Sequence, residues 1–381
     1  MSLTGKRILL TTSHRNIGSG GSFQLGLLAQ ALVEAGARVE TVFKGDPDTT
    51  ADHPGFAGLR NLGVPIHFIR TNRWYSPRQI LLFRRLLREG RFDLVHTHKG
   101  GDLSLALLAL PRMPPCGLIN TRGVNFRLGF NRYKYRSRRL HRIIVVSENS
   151  KRVMVECGVP ADKIRVVYGG MDPQRFHPRP EERAPLRDEL GLPQNALVCV
   201  VAANLVRQKG HEDYLRAAAA LRAEWPELWH VFAGAGEQTQ LREAARQLNV
   251  ADRLIFAGFR RDMERVYAAA DLSVMPGFAG EGVSGVLREA LACGVPVITT
   301  DVGGNIELIT HEQTGLVVPV RQPAALAEAI KRLVQNPSFT HELAERGRHM
   351  VLEHFSTEAR ARNIFGIYEE VLGENNRNYG R

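Results

Sequence analysis

Residues 277–304 read GFAGEGVSGVLREALACGVPVITTDVGG, a loop, a helix and a strand marked by their own punctuation. Gly277, Gly280 and Gly282 make a loop whose backbone can approach a ligand closely. Ser284 stands at the N-cap position of a helix predicted from about Gly285 to Cys293, with Val286, Leu287, Ala290 and Leu291 on its inward face. Gly294 stops that helix and Pro296 keeps it stopped. The free amides and positive dipole end of such a helix suit a phosphate or diphosphate. Glu281 precedes the helix and Glu289 lies one turn inside it. Carboxylates are natural acceptors for vicinal hydroxyls, so a sugar at one end and a ribose at the other would satisfy both. Taken alone, the pair reads equally well as a solvated loop residue and an exposed helix residue beside Arg288.

Outward from this stretch the same alternation recurs. KRILLTT, SFQLGLLAQALVEAG, RVETVFKG, FDLVHTH, CGLINTRG and RIIVVSE alternate continuous apolar runs with helix-period segments, the pattern of a parallel sheet covered on both faces. The rhythm breaks at GGMDPQRFHPRPEERAPLRDELGLPQNA, rich in Pro and charge, which reads as a linker. It restarts with ALVCVVAANL, LWHVFAGAG, RLIFAGF, DLSVMPG and PVITTD. The expectation is an α/β protein of two doubly wound, Rossmann-like domains, over 1–175 and 195–355, with the default site in the cleft between them. Residues 356–381 read as an amphipathic helix packing back on the first domain.

At 381 residues with 44% hydrophobic composition, the chain suits two cores of ordinary size. No apolar run approaches the roughly 20 residues of a membrane helix, and the N-terminal stretch has no signal-peptide pattern, so a cytoplasmic protein is expected. Cys116, Cys157, Cys199 and Cys293 are scattered without a metal-binding spacing and read as reduced core residues. The net charge of +12 is uneven. Residues 1–172 hold 27 Lys and Arg against 12 Asp and Glu, while the rest hold 24 against 27, which points to an anionic partner for the first half.

The run EGVSGVLREALACGVPVITTDVGGNIELI resembles the E-x7-E signature of retaining GT-B glycosyltransferases, in particular family 4. The resemblance extends over GSGGSFQLGLLAQALVEAGARV, FDLVHTHKGGD, IIVVSENSKRVMVECGVPADKIRVVYGGMDPQRF, VAANLVRQKGHEDYL, FAGAGE and LIFAGFRRDMERVYAAADLSVMPG. It implies the GT-B fold, and a transfer of sugar from a nucleotide diphosphate sugar to a hydroxyl of a glycan or lipid-linked acceptor. The setting implied is bacterial lipopolysaccharide or surface polysaccharide synthesis. Glu281 would contact the donor sugar and Glu289 the ribose, while amides of Val283, Ser284, Gly285 and Val286 hold the diphosphate, with Gly234 nearby. Lys209 matches the lysine that neutralises the leaving group. Arg207 is a second cation, since Asn204 stands where many relatives have arginine. Ser284 and Arg288 also depart from the usual glycine and leucine, so donor identity does not carry over. No cofactor and no metal are implied.

Other residues are weighed against plainer readings. His98 matches a histidine aimed at the donor sugar, but His96 points the same way along the strand and either reads as a structural residue. Gly20 and Gly21 open a helix after the first strand, and with His14 and Arg15 the resemblance puts them on the acceptor side. Phe23 replaces the third glycine of a dinucleotide fingerprint and no acid ends the second strand, which argues against a dehydrogenase. Asp46 and Asp48 form a D-x-D in a Pro- and Asp-rich turn and read as loop. The stretch TRGVNFRLGFNRYKYRSRRLHR, 121–142, has eight Arg and Lys from Arg122 to Arg142 among aromatics and no acid. It suits peripheral contact with an anionic membrane or phosphorylated acceptor, nucleic acid, or simply solvent. Its position in the acceptor domain favours the first, and no nucleic acid is expected. Rivals are a nucleotide-sugar epimerase of related fold and a basic nucleic-acid-binding protein.

Overall fold

The computed structural model describes residues 3–17, 20–46, 52–69, 76–110, 116–123, 127–129, 132–279 and 283–379. The chain divides into two compact units, residues 1–170 with 357–381, and residues 171–356.

In the first unit, β1 (Arg7–Thr11), β2 (Arg38–Lys44), β3 (Ile66–Ile69), β4 (Leu94–Thr97), β5 (Gly117–Arg122), β6 (Arg142–Val145) and β7 (Ile164–Val166) form one sheet in the order β3-β2-β1-β4-β5-β6-β7. Every pairing is parallel. Continuous apolar strands follow from this arrangement, because both faces are covered. Ile8 and Leu10 enter one core layer with Leu25, Leu28 and Phe43. Leu9, between them, enters the opposite layer with Val95, Leu103 and Ile143.

The helix Thr357–Tyr379 belongs to this unit. Its Ile364, Tyr368 and Val371 lie in the same core layer as Ile8 and Leu10. Gly117 opens β5 without a side chain, and a Cβ there would stand 2.6 Å from Val371 Cγ1. The absence of that carbon lets the helix seat against the strand. Ion pairs fasten its exposed flank: Arg142 to Glu370 (2.6 Å) and to Glu374, and Arg165 to Glu370 (2.8 Å).

In the second unit, β8 (Leu197–Ala202), β9 (Leu228–Ala233), β10 (Leu254–Gly258), β11 (Leu272–Met275), β12 (Val297–Thr300) and β13 (Leu316–Val318) form a parallel sheet in the order β10-β9-β8-β11-β12-β13. Cys199, Val201, Phe232 and Ile298 are the centre of its core.

The stretch expected to be a linker is not one throughout. Pro180–Leu190 is a helix of the second unit, disguised in the sequence by its charge and by Pro180 and Pro185. What seats it is a buried cation. Arg187 is fully buried and donates to the carbonyls of Ala269 (3.0 Å), Gln194 (2.7 Å) and Ala196 (2.9 Å) and to Asp271 Oδ2 (2.9 Å). Asp271 also accepts the Val198 N–H (2.8 Å) and pairs with Arg183 (2.6 Å). An arginine held this way stitches the helix to the start of β8 and to the turn before β11. Removing the guanidinium leaves several buried carbonyls without a donor and takes one partner from Asp271, so Arg187→Met should lower stability by about 3 kcal/mol. Urea denaturation followed by circular dichroism checks this.

Candidate functional site

In the second sheet, strand order reverses between β8 and β11, and open parallel sheets bind ligands beyond the carboxyl ends of their strands at such a reversal. A pocket of about 430 Å³ lies there, lined by residues following β8 (Ala203, Asn204, Lys209), β9 (Gly234), β10 (Phe259, Arg260) and β11 (Val283, Ser284, Gly285, Val286, Glu289). Seven residues singled out in the sequence thus share one pocket: Lys209, Gly234, Val283, Ser284, Gly285, Val286 and Glu289. Arg207 shares the short turn Arg207–Lys209 but lines a neighbouring cavity with His211 and Glu237. Gly20, Gly21 and His98 belong to the first unit. Glu281, like Asp48, lies outside the described residues.

The pocket wall is held by loops packed backbone against backbone. A Cβ on Gly234 would stand 1.9 Å from the Ala203 carbonyl oxygen, and one on Gly210 would stand 2.0 Å from that of Pro276. Gly210 also has φ +71°, which a side chain would strain. The Gly234 N–H donates to Gly258 O (2.8 Å), Leu205 N–H to Ala235 O (2.7 Å), and Phe278 N–H to Gln208 O (2.9 Å). Lys209 is therefore carried into the pocket on a turn that the chain cannot relax.

Across from it begins the helix Gly285–Ala292. Ser284 occupies its N-cap with extended backbone, yet its side chain makes no capping bond, so the helix's first amides are not claimed by the residue expected to cap them. Tyr267 donates to the Val286 carbonyl (3.0 Å) and steadies this turn. Burial raises the Glu289 carboxyl above its ordinary range, opposed by Arg288 and Arg175 and helped by Glu264. Burial pulls Arg288 down to about 10, with Glu289 pulling the other way. Both side chains lean back toward Gly285, where a Cβ would lie 3.7 Å from an Arg288 terminal nitrogen and 3.8 Å from a Glu289 oxygen. An ammonium, uncapped amides and a shielded carboxyl around one cavity can hold an anionic group attached to a polyol.

Sequence reasoning passed over Phe259, Arg260 and Met263. Phe259 is 67% exposed and offers a flat apolar face beside Met263 at the pocket edge. The sequence signal for it was its place directly after Gly258, at the end of an apolar strand-like run. Arg260 is engaged by Asp262 (2.6 Å) and Glu189 (2.6 Å) and so shapes the wall.

In the first unit the two histidines separate. His96 has both ring nitrogens bonded, Nδ1 with the Tyr368 hydroxyl (2.6 Å) and Nε2 with the Thr121 hydroxyl (2.8 Å). It is a structural tie to the C-terminal helix. His98 stacks against it with ring centroids 4.2 Å apart, and burial with nearby Arg360 holds it down to about 3, hence neutral. His14 faces Gly21, with Nε2 3.6 Å from where a Cβ would be.

The basic stretch is less uniform than its sequence suggests. Arg142 is consumed by Glu370 and Glu374, Lys134 donates to Gly100 O (2.7 Å), and Tyr135 is buried. Arg127, Arg132, Tyr133, Arg136, Arg138 and Arg139 stay exposed, while Phe126 and Phe130 lie outside the described residues. Burial raises the thiols of Cys199 and Cys293 to about 12 and that of Cys116 to about 11. Among the described residues no group of three His, Cys, Asp or Glu is placed to hold a metal, and no helix is long and apolar enough to cross a membrane.

Comparison with known proteins identifies the family and the fold. Residues 182–350 match the model of glycosyl transferases group 1, and residues 18–175 that of glycosyltransferase family 4. A GDP-mannose-dependent alpha-(1-6)-phosphatidylinositol monomannoside mannosyltransferase of Mycobacterium tuberculosis is 30% identical over 370 residues, 91% of this chain and 93% of its own. The chain belongs to glycosyltransferase family 4. An uncharacterized glycosyltransferase of Methanocaldococcus jannaschii is 26% identical over 91% of this family 4 chain and 94% of its own. Among solved structures, a glycosyltransferase from Rickettsia africae matches with a TM-score of 0.84 at 21% identity, over 96% of this chain and 99% of that one. Anabaena HepE in complex with UDP matches with a TM-score of 0.80 at 20% identity, over 96% and 100%. The fold is GT-B.

Gly234 supplies a steric test of the glycosyltransferase's pocket wall. Gly234→Ala should cost roughly 1–3 kcal/mol, because the new carbon collides with backbone. Gly366→Ala, on the exposed side of the C-terminal helix with nothing within 4 Å, should instead stabilise by about 0.5–1 kcal/mol. Thermal unfolding of the two variants against wild type checks both signs.

Proposed function

We propose that this glycosyltransferase takes its sugar from a nucleoside diphosphate sugar bound in the second unit and passes it, with retention of anomeric configuration, to a hydroxyl of a glycan or lipid-linked acceptor bound by the first. The observation that carries the reading is the pocket itself. Lys209, the uncapped start of the Gly285–Ala292 helix and Glu289 line one cavity at the strand-order reversal. Among relatives, the mycobacterial enzyme is named for GDP-mannose and HepE has been solved with UDP-glucose, which supports a nucleotide sugar here.

In this mechanism the helix amides and Lys209 hold the diphosphate and stabilise the charge that grows as the sugar–phosphate bond breaks. Glu289 takes the ribose hydroxyls, Phe259 offers its face to the base, and Glu281, eight residues before Glu289, takes hydroxyls of the sugar. No metal enters these roles. The exposed Arg127, Arg132, Arg136, Arg138 and Arg139, with Tyr133, suit peripheral contact with anionic lipid, as synthesis of lipopolysaccharide or another surface polysaccharide at the cytoplasmic membrane face would require.

Calorimetry with UDP-glucose and GDP-mannose tests the donor site. One of them should bind wild type, and Glu289→Ala should lose that binding. Lys209→Ala should lower turnover roughly 10²–10³-fold with an unchanged circular dichroism spectrum. Near-normal turnover in that variant removes Lys209 from the mechanism.

A further inference from the structure

Beside the pocket of the second unit, an arginine in left-handed backbone lies on an aromatic ring. Arg321 follows β13 and has φ +56°, a conformation that glycine adopts freely and arginine only at a cost. The backbone before it is fixed. Asp301, directly after β12, donates its N–H to Val318 O (3.0 Å) and accepts the Val320 N–H at Oδ1 (3.0 Å). From that anchor the Arg321 guanidinium reaches over the half-buried ring of Phe278, its central carbon 4.2 Å from the ring centroid.

Phe278 stands where three segments meet. Its N–H donates to Gln208 O (2.9 Å), in the turn Arg207–Lys209. The Gly277 carbonyl before it accepts the Thr300 hydroxyl at the end of β12, and the Pro276 carbonyl lies against Gly210. Close packing at Gly210 limits how near the segments can come, but it does not draw them together. The Phe278–Gln208 hydrogen bond does, and Gln208 immediately precedes Lys209, which lines the pocket. Water competes for such a bond beside a half-buried ring. A cation stacked on the ring's face covers it and holds it in place.

Residues persist in sparsely populated backbone regions only where their surroundings dictate it, and they gather at functional sites. Glycine would meet the backbone at 321 without strain, whereas reaching Phe278 takes a long cationic side chain.

We propose that Arg321 is a positioning residue for sugar transfer: through Phe278 it holds residues 276–278 on the turn Arg207–Lys209 and so fixes the Lys209 ammonium in the pocket. The inference rests on the role given to Lys209 above and extends it to a residue that itself touches no substrate. Its size is bounded by the attraction of a cation to a partly exposed ring, a factor of about 2–5 in an equilibrium constant. With the guanidinium present, the productive position of the turn is populated more by that factor.

The test uses the full chain with UDP-glucose and GDP-mannose, and donor hydrolysis is the turnover measured. Arg321→Asn removes the guanidinium and leaves a residue that tolerates positive φ. Its kcat should fall about 2–5-fold, with donor KM unchanged because Lys209 acts on charge that grows as the bond breaks. The Tm should stay close to wild type, since relieved strain offsets the lost stacking. Arg321→Lys keeps a cation and should regain part of the kcat. In a Phe278→Leu or a Lys209→Ala background, Arg321→Asn should lower kcat no further, the coupling expected of groups that act through one another. An arginine that only stabilised the fold would lower Tm and show no such coupling. With Lys209→Ala impaired, wild-type kcat in Arg321→Asn, or the same fractional loss in the Lys209→Ala background, overturns the role of Arg321 and leaves the donor site standing. Near-normal kcat in Lys209→Ala overturns the role of Lys209 and the inference with it.

Discussion

The pocket of the second unit depends on backbone touching backbone. Where the loop after β9 crosses the loop after β8, the Gly234 Cα lies so close to the Ala203 carbonyl that a Cβ would fall 1.9 Å from the oxygen. Where the turn carrying Lys209 meets the segment after β11, Gly210 does the same against Pro276. Side chains would force these loops apart and open the pocket, and the parallel sheet beneath cannot follow them. The position of Lys209 opposite the Gly285–Ala292 helix is thus set by what two residues lack.

Around that frame, electrostatics is arranged by burial more than by surface pairing. Arg187 is taken wholly out of water and repaid with carbonyls and Asp271. His96 and His98 are kept neutral by burial and by the Arg360 cation. Glu289 and Asp102, in different units, are both carboxyls raised by burial. Glu370 and Glu374 show the other use, holding the C-terminal helix through Arg142 and Arg165.

Much of this was legible in the amino-acid order because its causes are local. The apolar period of KRILLTT, the glycines around 277–285 and the stop at Gly294 and Pro296 declare strand, loop and helix by backbone rules acting over a few residues. Lys209, Gly234 and Val283–Glu289 could be nominated for one site because each follows a strand end, and a parallel sheet gathers all such ends on one edge. Local rules also misled. Two prolines and dense charge made Pro180–Leu190 look like linker, and a row of arginines made 122–142 look like one open face.

The sequence by itself determined two doubly wound sheets and which strand-end residues they would bring together, since periodicity and turn chemistry are written residue by residue. Only the tertiary structure decided which histidine is tied at both ring nitrogens, because a hydroxyl that satisfies His96 is that of Tyr368, 272 positions away. It alone decided that Arg187 is buried and Arg142 spent, and that Phe259 stands at the pocket edge. Those outcomes depend on partners that meet only when distant segments pack, and no local pattern encodes the distance between them.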